Sequence, residues 1–77
     1  MKKDLLSLPI WNYKSLMSYL GIKKTKAYEI MDKVKRFYNG SVPDFKGYVK
    51  RDSVLNYLGT SIERELYVLE QLERKEG

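Results

Sequence analysis

The sequence predicts a single, mainly helical domain with a small two-stranded β-ribbon, and three observations carry that expectation. Apolar residues recur at helical spacing in four stretches. Glycine or Asn-Gly punctuation closes three of them, at Gly21, Asn39-Gly40 and Gly59. In the segment SVPDFKGYVKR, the residues Val42, Phe45, Tyr48 and Val49 are interrupted by Pro43, Asp44 and Gly47, a pattern for short extended pieces around a turn. A chain of 77 residues is one domain with a thin core, burying roughly 60% of its unfolded surface. Residues 1–11 read as an N-terminal arm, 12–59 as the body and 60–77 as a C-terminal helix.

The elements follow in order. Tyr13, Leu16, Met17 and Leu20 share one face of a helix over about 12–20, which Gly21 ends by supplying a positive φ. Ala27, Ile30, Met31, Val34, Phe37 and Tyr38 step at helical intervals along a longer helix over about 25–38. Pro43 cannot donate to a β-ladder, so the extended pieces of 41–51 are expected as an edge ribbon and not as part of a larger sheet. Asp52 is expected to cap a short helix that buries Val54, Leu55 and Leu58. Thr60 and Glu63 fit a T-x-x-E capping box at the start of a helix over about 61–74. Its Ile62, Leu66, Leu69 and Leu72 form a stripe of about two heptads, too short to hold a coiled coil alone, so docking on its own domain is favoured over dimerisation.

Composition narrows the function classes. With no cysteine and no histidine, disulfides, a thiolate nucleophile and the usual zinc sites are all excluded. Acids and bases occur without a defined catalytic spacing, no nucleophile has an evident base, and no glycine-rich phosphate loop is present, so a non-enzyme without cofactor or metal is expected. No run approaches the roughly 20 apolar residues of a membrane span, and the apolar part of MKKDLLSLPIW is too short and interrupted for a signal peptide. A cytoplasmic protein with no membrane partner is the expectation. The net charge of +5 is unevenly spread: residues 1–60 hold 12 Lys and Arg against 5 Asp and Glu, and residues 61–77 hold 3 against 5. A basic body points to a polyanion as partner.

The turn between the first two long helices places that charge. The chain reverses between Leu20 and Thr25, with Gly21 permitting the turn and Ile22 plugging the corner. In a helix-turn-helix the second helix enters the major groove with its N-terminal residues nearest the bases, and here that end carries Lys23, Lys24 and Lys26. Thr25, Lys26, Glu29, Lys33 and Arg36 occupy the side opposite the apolar stripe. Lysines bind phosphate as point charges, so this surface is better suited to affinity than to base discrimination. Thr25 and Tyr28 are placed to touch a base edge or methyl, and Glu29 either accepts from a cytosine amino group or pairs with Lys33 four residues on. The ribbon adds Lys46 at its tip and Lys50 and Arg51 where it leaves, a basic wing for a phosphate strand or minor groove. Ten aromatics interleaved with lysine could stack on unpaired bases, but Tyr13, Phe37, Tyr38, Phe45 and Tyr57 coincide with apolar positions and are assigned to packing, with Trp11 closing one end of the core.

The segment LMSYLGIKKTKAYEIMDKVK followed by GYVKRDSVLNYLG resembles the small excisionase and MerR-like winged helix-turn-helix DNA-binding proteins of phages and integrative elements. The resemblance covers about residues 13–59. It rests on the Leu20-Gly21-Ile22 corner, the aromatic Tyr28, the basic Lys50-Arg51 strand and the Asp52-x-Val54-Leu55 helix start. It implies an accessory protein that binds double-stranded DNA near a recombination site, bends or bridges the DNA with neighbouring copies and steers an integrase or recombinase toward excision. A transcriptional regulator of the same fold is the alternative. A reading of another class is a protein-binding module, an antirepressor or recombinase partner, acting through the C-terminal helix.

Overall fold

In the computed structural model, which describes residues 2–76, the segment expected as an arm contains a helix and a strand. Helix α1 spans Lys2–Leu6 and buries Leu6. It stops at once: the Ser7 hydroxyl donates to the Asp4 carbonyl at 2.6 Å, and Pro9 cannot continue a helical ladder. Strand β1, Ile10–Trp11, pairs antiparallel with β2, Val49–Lys50, in the register Ile10 to Lys50 and Trp11 to Val49. The alternation of a pleated strand turns Trp11 and Val49 into the core and leaves Lys50 exposed.

The two-stranded ribbon is therefore built differently from the expected one. It joins the N-terminal segment to Val49–Lys50, the residues before the fourth helix, while pairing within the 41–51 segment itself is limited to an isolated bridge, Ser41 to Val49. Two tight turns explain why no second strand forms there. Phe45 N–H donates to the Val42 carbonyl and Tyr48 N–H to the Phe45 carbonyl, so the chain curls where a hairpin strand would run.

Helix α2, Tyr13–Leu20, starts at Asn12, whose Oδ1 accepts from the Ser15 N–H at 3.0 Å, and ends at Gly21 in the left-handed region, φ 66°. The Gly21 and Ile22 N–H groups both return to the Met17 carbonyl, which closes the corner. Helix α3, Lys24–Phe37, buries Ala27, Ile30, Met31 and Val34 against α2. Helix α4, Arg51–Tyr57, buries Val54 and Leu55. It is not capped by Asp52: Lys50 occupies the N-cap position, and Asp52 lies inside the first turn with its carboxylate on the Arg51 guanidinium.

Helix α5, Ile62–Glu76, is capped one residue later than the sequence suggests. The Arg64 N–H donates to Ser61 Oγ at 3.2 Å, whereas the Thr60 hydroxyl donates to Glu65 Oε2 at 3.1 Å. Glu65 also accepts from the Tyr19 hydroxyl of α2, so one carboxylate ties α5 to the body. Ile62, Leu66 and Leu69 pack on the core, and Lys3 of α1 pairs with Glu73 at 3.3 Å. Leu72, expected on the same stripe, is 51% exposed because the apolar surface beneath the helix ends before it.

Burial and the hydrogen bond to Glu65, with the negative charge of that carboxylate, push the Tyr19 phenol well above its usual pKa. The folded chain thus holds this proton more tightly than the unfolded chain. Its stabilisation is complete below the ordinary tyrosine value of about 10 and is lost as pH rises beyond it. Tyr19→Phe is expected to cost about 1 kcal/mol at pH 7 and to flatten the stability loss above about pH 10, as read by urea melts at both pH values. An unchanged alkaline slope would mean another group controls it.

Gly40 follows Asn39, which itself takes a positive φ of 53°, and packs directly beneath α3. A Cβ at Gly40 would sit 2.3 Å from Val34 Cγ1 and 3.2 Å from both Ser53 Cβ and the Val34 carbonyl, whereas one at Gly21 would meet nothing within 4 Å. Gly40→Ala is expected to cost about 1–3 kcal/mol by overpacking. Gly21→Ala should cost about 1 kcal/mol from conformation alone. Chemical denaturation midpoints in which Gly21→Ala proved the more damaging would contradict the buried position of Gly40.

Candidate nucleic-acid interface

The outward face of α3 follows from its buried one. Successive residues are about 100° apart, so opposite Ala27, Ile30, Met31 and Val34 lie Thr25, Glu29, Asp32 and Arg36. Lys33 and Lys26 fall on one flank, and Lys24, Tyr28 and Lys35 on the other. From Lys23 to Phe37 there are six cations and two carboxylates. The helix opens without an acidic residue in its first turn and without a side-chain cap, because Lys23 at the N-cap position carries no acceptor. Its first N–H groups and the positive end of its dipole therefore stand uncapped by any side chain beside Lys23, Lys24 and Lys26.

Two of the expected contacts are already engaged within the helix. Lys26 pairs with Glu29 at 3.5 Å, three residues on, so the ion pair of Glu29 is not with Lys33. Arg36 pairs with Asp32 at 3.1 Å, and Asp32 is a residue that charge counting along the lysines passes over. Both pairs are exposed, and such pairs are worth only about 0–1 kcal/mol, so either cation can exchange its carboxylate for a phosphate at small cost. Lys24 has a different neighbour: its ammonium stands 5.3 Å from the centroid of the Tyr13 ring, which itself stacks on Tyr28 at 5.1 Å. Tyr28 is exposed at the edge of this stack, beside the first turn of α3.

Arg51 leaves the interface altogether. Its side chain is 17% exposed, and its guanidinium donates to the Leu6 carbonyl at 2.6 Å and to Asp52 at 3.1 Å. The backbone N–H of the same residue donates to the Pro9 carbonyl at 3.0 Å. Arg51 is thus a clasp between the N-terminal segment and α4. Nothing in its sequence context distinguishes this role from a wing cation, because the Leu6 carbonyl that holds it lies 45 residues earlier in the chain.

The loop 41–48 stands beside the Lys35 flank of α3. Lys35, Val42, Pro43, Phe45, Lys46 and Tyr48 enclose an open cleft of about 430 Å³. Lys35 is the cation that the sequence reading missed, since it lies off the axis opposite the core. Its spacing of seven residues from Tyr28 and eleven from Lys24 was the available signal, as both intervals return to the same helix flank. Lys23, Lys33, Lys35, Lys46 and Lys50 have no ion-pair partner among the described residues. Phe37 and Phe45, expected in the core, are 74% and 53% exposed. At the end of α3 only one of two adjacent residues can face inward, and Tyr38 takes that place against Tyr57, with ring centroids 5.5 Å apart.

No family model, curated protein or solved structure matches this chain. Among the described residues no group of acids could hold a metal ion, and no helix is long and apolar enough to cross a membrane.

Proposed function

We propose that this chain binds double-stranded DNA as a winged helix-turn-helix domain, with α3 in the major groove and the loop 41–48 beside it as the wing. The observation that carries the reading is a set of lysines without an ion-pair partner among the described residues, Lys23 at the N-cap of α3, Lys33 and Lys35 on α3 and Lys46 in the adjoining loop, next to a helix start without a side-chain cap. Phosphates attract such cations without regard to sequence, and Thr25, Tyr28 and Glu29 supply the few groups able to touch base edges. Lys50 extends the basic surface on the outer side of β2. Arg51 is assigned to the fold and not to DNA.

The role we favour is that of an excisionase-type directionality factor of a mobile element, which positions DNA for a recombinase and performs no chemistry. A transcriptional regulator would use the same surface. The acidic α5, docked through Ile62, Leu66 and Leu69, repels phosphate and keeps the duplex on the α3 side.

The test is a titration of a labelled mixed-sequence duplex at several salt concentrations, followed by footprinting on selected sites. Binding that weakens linearly with log salt supports the reading. Absence of binding at low salt, or affinity indifferent to salt, sinks it.

The protein-binding alternative draws on one observation: Val68 and Leu72 are exposed one turn apart on α5. The double change Val68→Ser with Leu72→Ser leaves the docked residues in place, so loss of a recombinase interaction with retained DNA binding would give α5 that second role.

A further inference from the structure

Phe45 is a large apolar side chain that neither the core nor phosphate binding accounts for. It is 53% exposed and stands in the loop 41–48, directly before Lys46, where it lines the same cleft as Pro43 and Lys35. Its backbone is held on both sides, by the hydrogen bond of its own N–H to Val42 and of its carbonyl to the Tyr48 N–H. We infer that Phe45 is a wedge, entering a base step from the minor groove, unstacking it and kinking the duplex. The inference rests on the DNA-binding reading above.

Three features lead to it. With α3 in the major groove, a loop on the flank of that helix meets the adjoining phosphate strand and the minor groove beyond it, where wedges of Phe, Leu, Ile, Met or Pro act. The nearby cations fit this placement, because a side chain entering the minor groove passes between two phosphate strands, and Lys35 and Lys46 line the same cleft as Phe45. The ring geometry separates a wedge from a single-strand stacking platform. Among the described residues the aromatic neighbour of Phe45 is Tyr48, met edge-on at 75° with centroids 6.2 Å apart, so the two rings cannot sandwich or jointly stack one base. A wedge needs only one projecting apolar side chain on a fixed backbone.

The expected preference is for pyrimidine–purine steps, above all TpA, which unstack most readily. The experiment uses two end-labelled duplexes of about 30 base pairs, one with regularly placed TpA steps and one without pyrimidine–purine steps. Affinity is read by anisotropy at several salt concentrations, and bending by energy transfer between the ends. The wild-type chain is expected to bend the TpA duplex and to bind it several-fold more tightly than the other. Phe45→Ala should keep the salt slope, lose the bend and bring the affinity ratio to about 1, and Phe45→Leu should restore both. The wedge is overturned if Phe45→Ala bends DNA as the wild type does, if its salt slope falls, or if Phe45→Leu fails to rescue. Wild-type protein that binds without bending overturns the wedge alone, whereas protein that binds neither duplex overturns the DNA-binding reading as well.

Discussion

Replacing Trp11 with alanine is expected to lower the melting temperature by about 15 °C or more, the largest stability loss of any single change proposed for this chain. The indole is fully buried, its N–H donates to the Leu5 carbonyl at 2.7 Å, and its ring lies 5.0 Å from that of Tyr19. It also occupies the β1 position paired with Val49, so one side chain joins α1, the ribbon and α2. Aromatic-to-alanine changes at such sites cost about 3–5 kcal/mol, and a domain of this length holds only about 4–12 kcal/mol in total. At roughly 4–8 °C per kcal/mol for a small domain, little of the folded population would survive physiological temperature. Circular dichroism melts of Trp11→Ala and Trp11→Phe provide the measurement. Phenylalanine keeps most of the apolar contact while losing the hydrogen bond and part of the indole volume, so it should recover much of the stability. A fall below about 5 °C in Trp11→Ala would mean that the indole adds little to the core and that residues 1–11 behave as an arm.

The largest functional effect is expected from changing Lys33, Lys35 and Lys46 together to alanine. All three are exposed and lack an ion-pair partner among the described residues, so the folded state should melt unchanged. If each neutralises one phosphate, the slope of log affinity against log salt should become shallower by about 2–3 units. At about 0.1 M salt the same loss corresponds to roughly 10²–10³ in affinity for duplex DNA. Lys24→Ala and Lys26→Ala should each cost less, because the first ammonium stands over Tyr13 and the second is paired with Glu29. Lys3→Ala, which removes the contact to Glu73 on α5, is the control and should leave the slope unchanged. A triple variant that binds with wild-type affinity and slope would move the interface away from α3 and its adjoining loop.

The helical corner was legible in the sequence because its causes are local. The apolar spacing of α2 and α3 and the positive φ of Gly21 depend on residues within a few positions of one another. Most of the exposed cations of the candidate site followed from the same periodicity, with Lys35 missed only because it lies on a flank. Capping was read one residue off at α5, since Thr60 and Ser61 are chemically equivalent candidates and the choice falls to Glu65, which draws the Thr60 hydroxyl toward Tyr19. A strand of two residues has no period to detect, so neither β1 nor its pairing with β2, nearly 40 positions away, left a pattern in the sequence.

What the sequence determined by itself is a small, mainly helical chain with a basic body, an acidic last helix and a tight glycine corner before a lysine-rich helix. Those properties depend on composition and on neighbours in the chain. Only the tertiary structure decided that Arg51 is a clasp, that Phe37 and Phe45 face solvent, and that the ribbon begins at Ile10. The physical reason is shared by most of them. A guanidinium, an aromatic ring or an extended dipeptide has no fixed role until distant segments supply its acceptor, its packing surface or its partner strand.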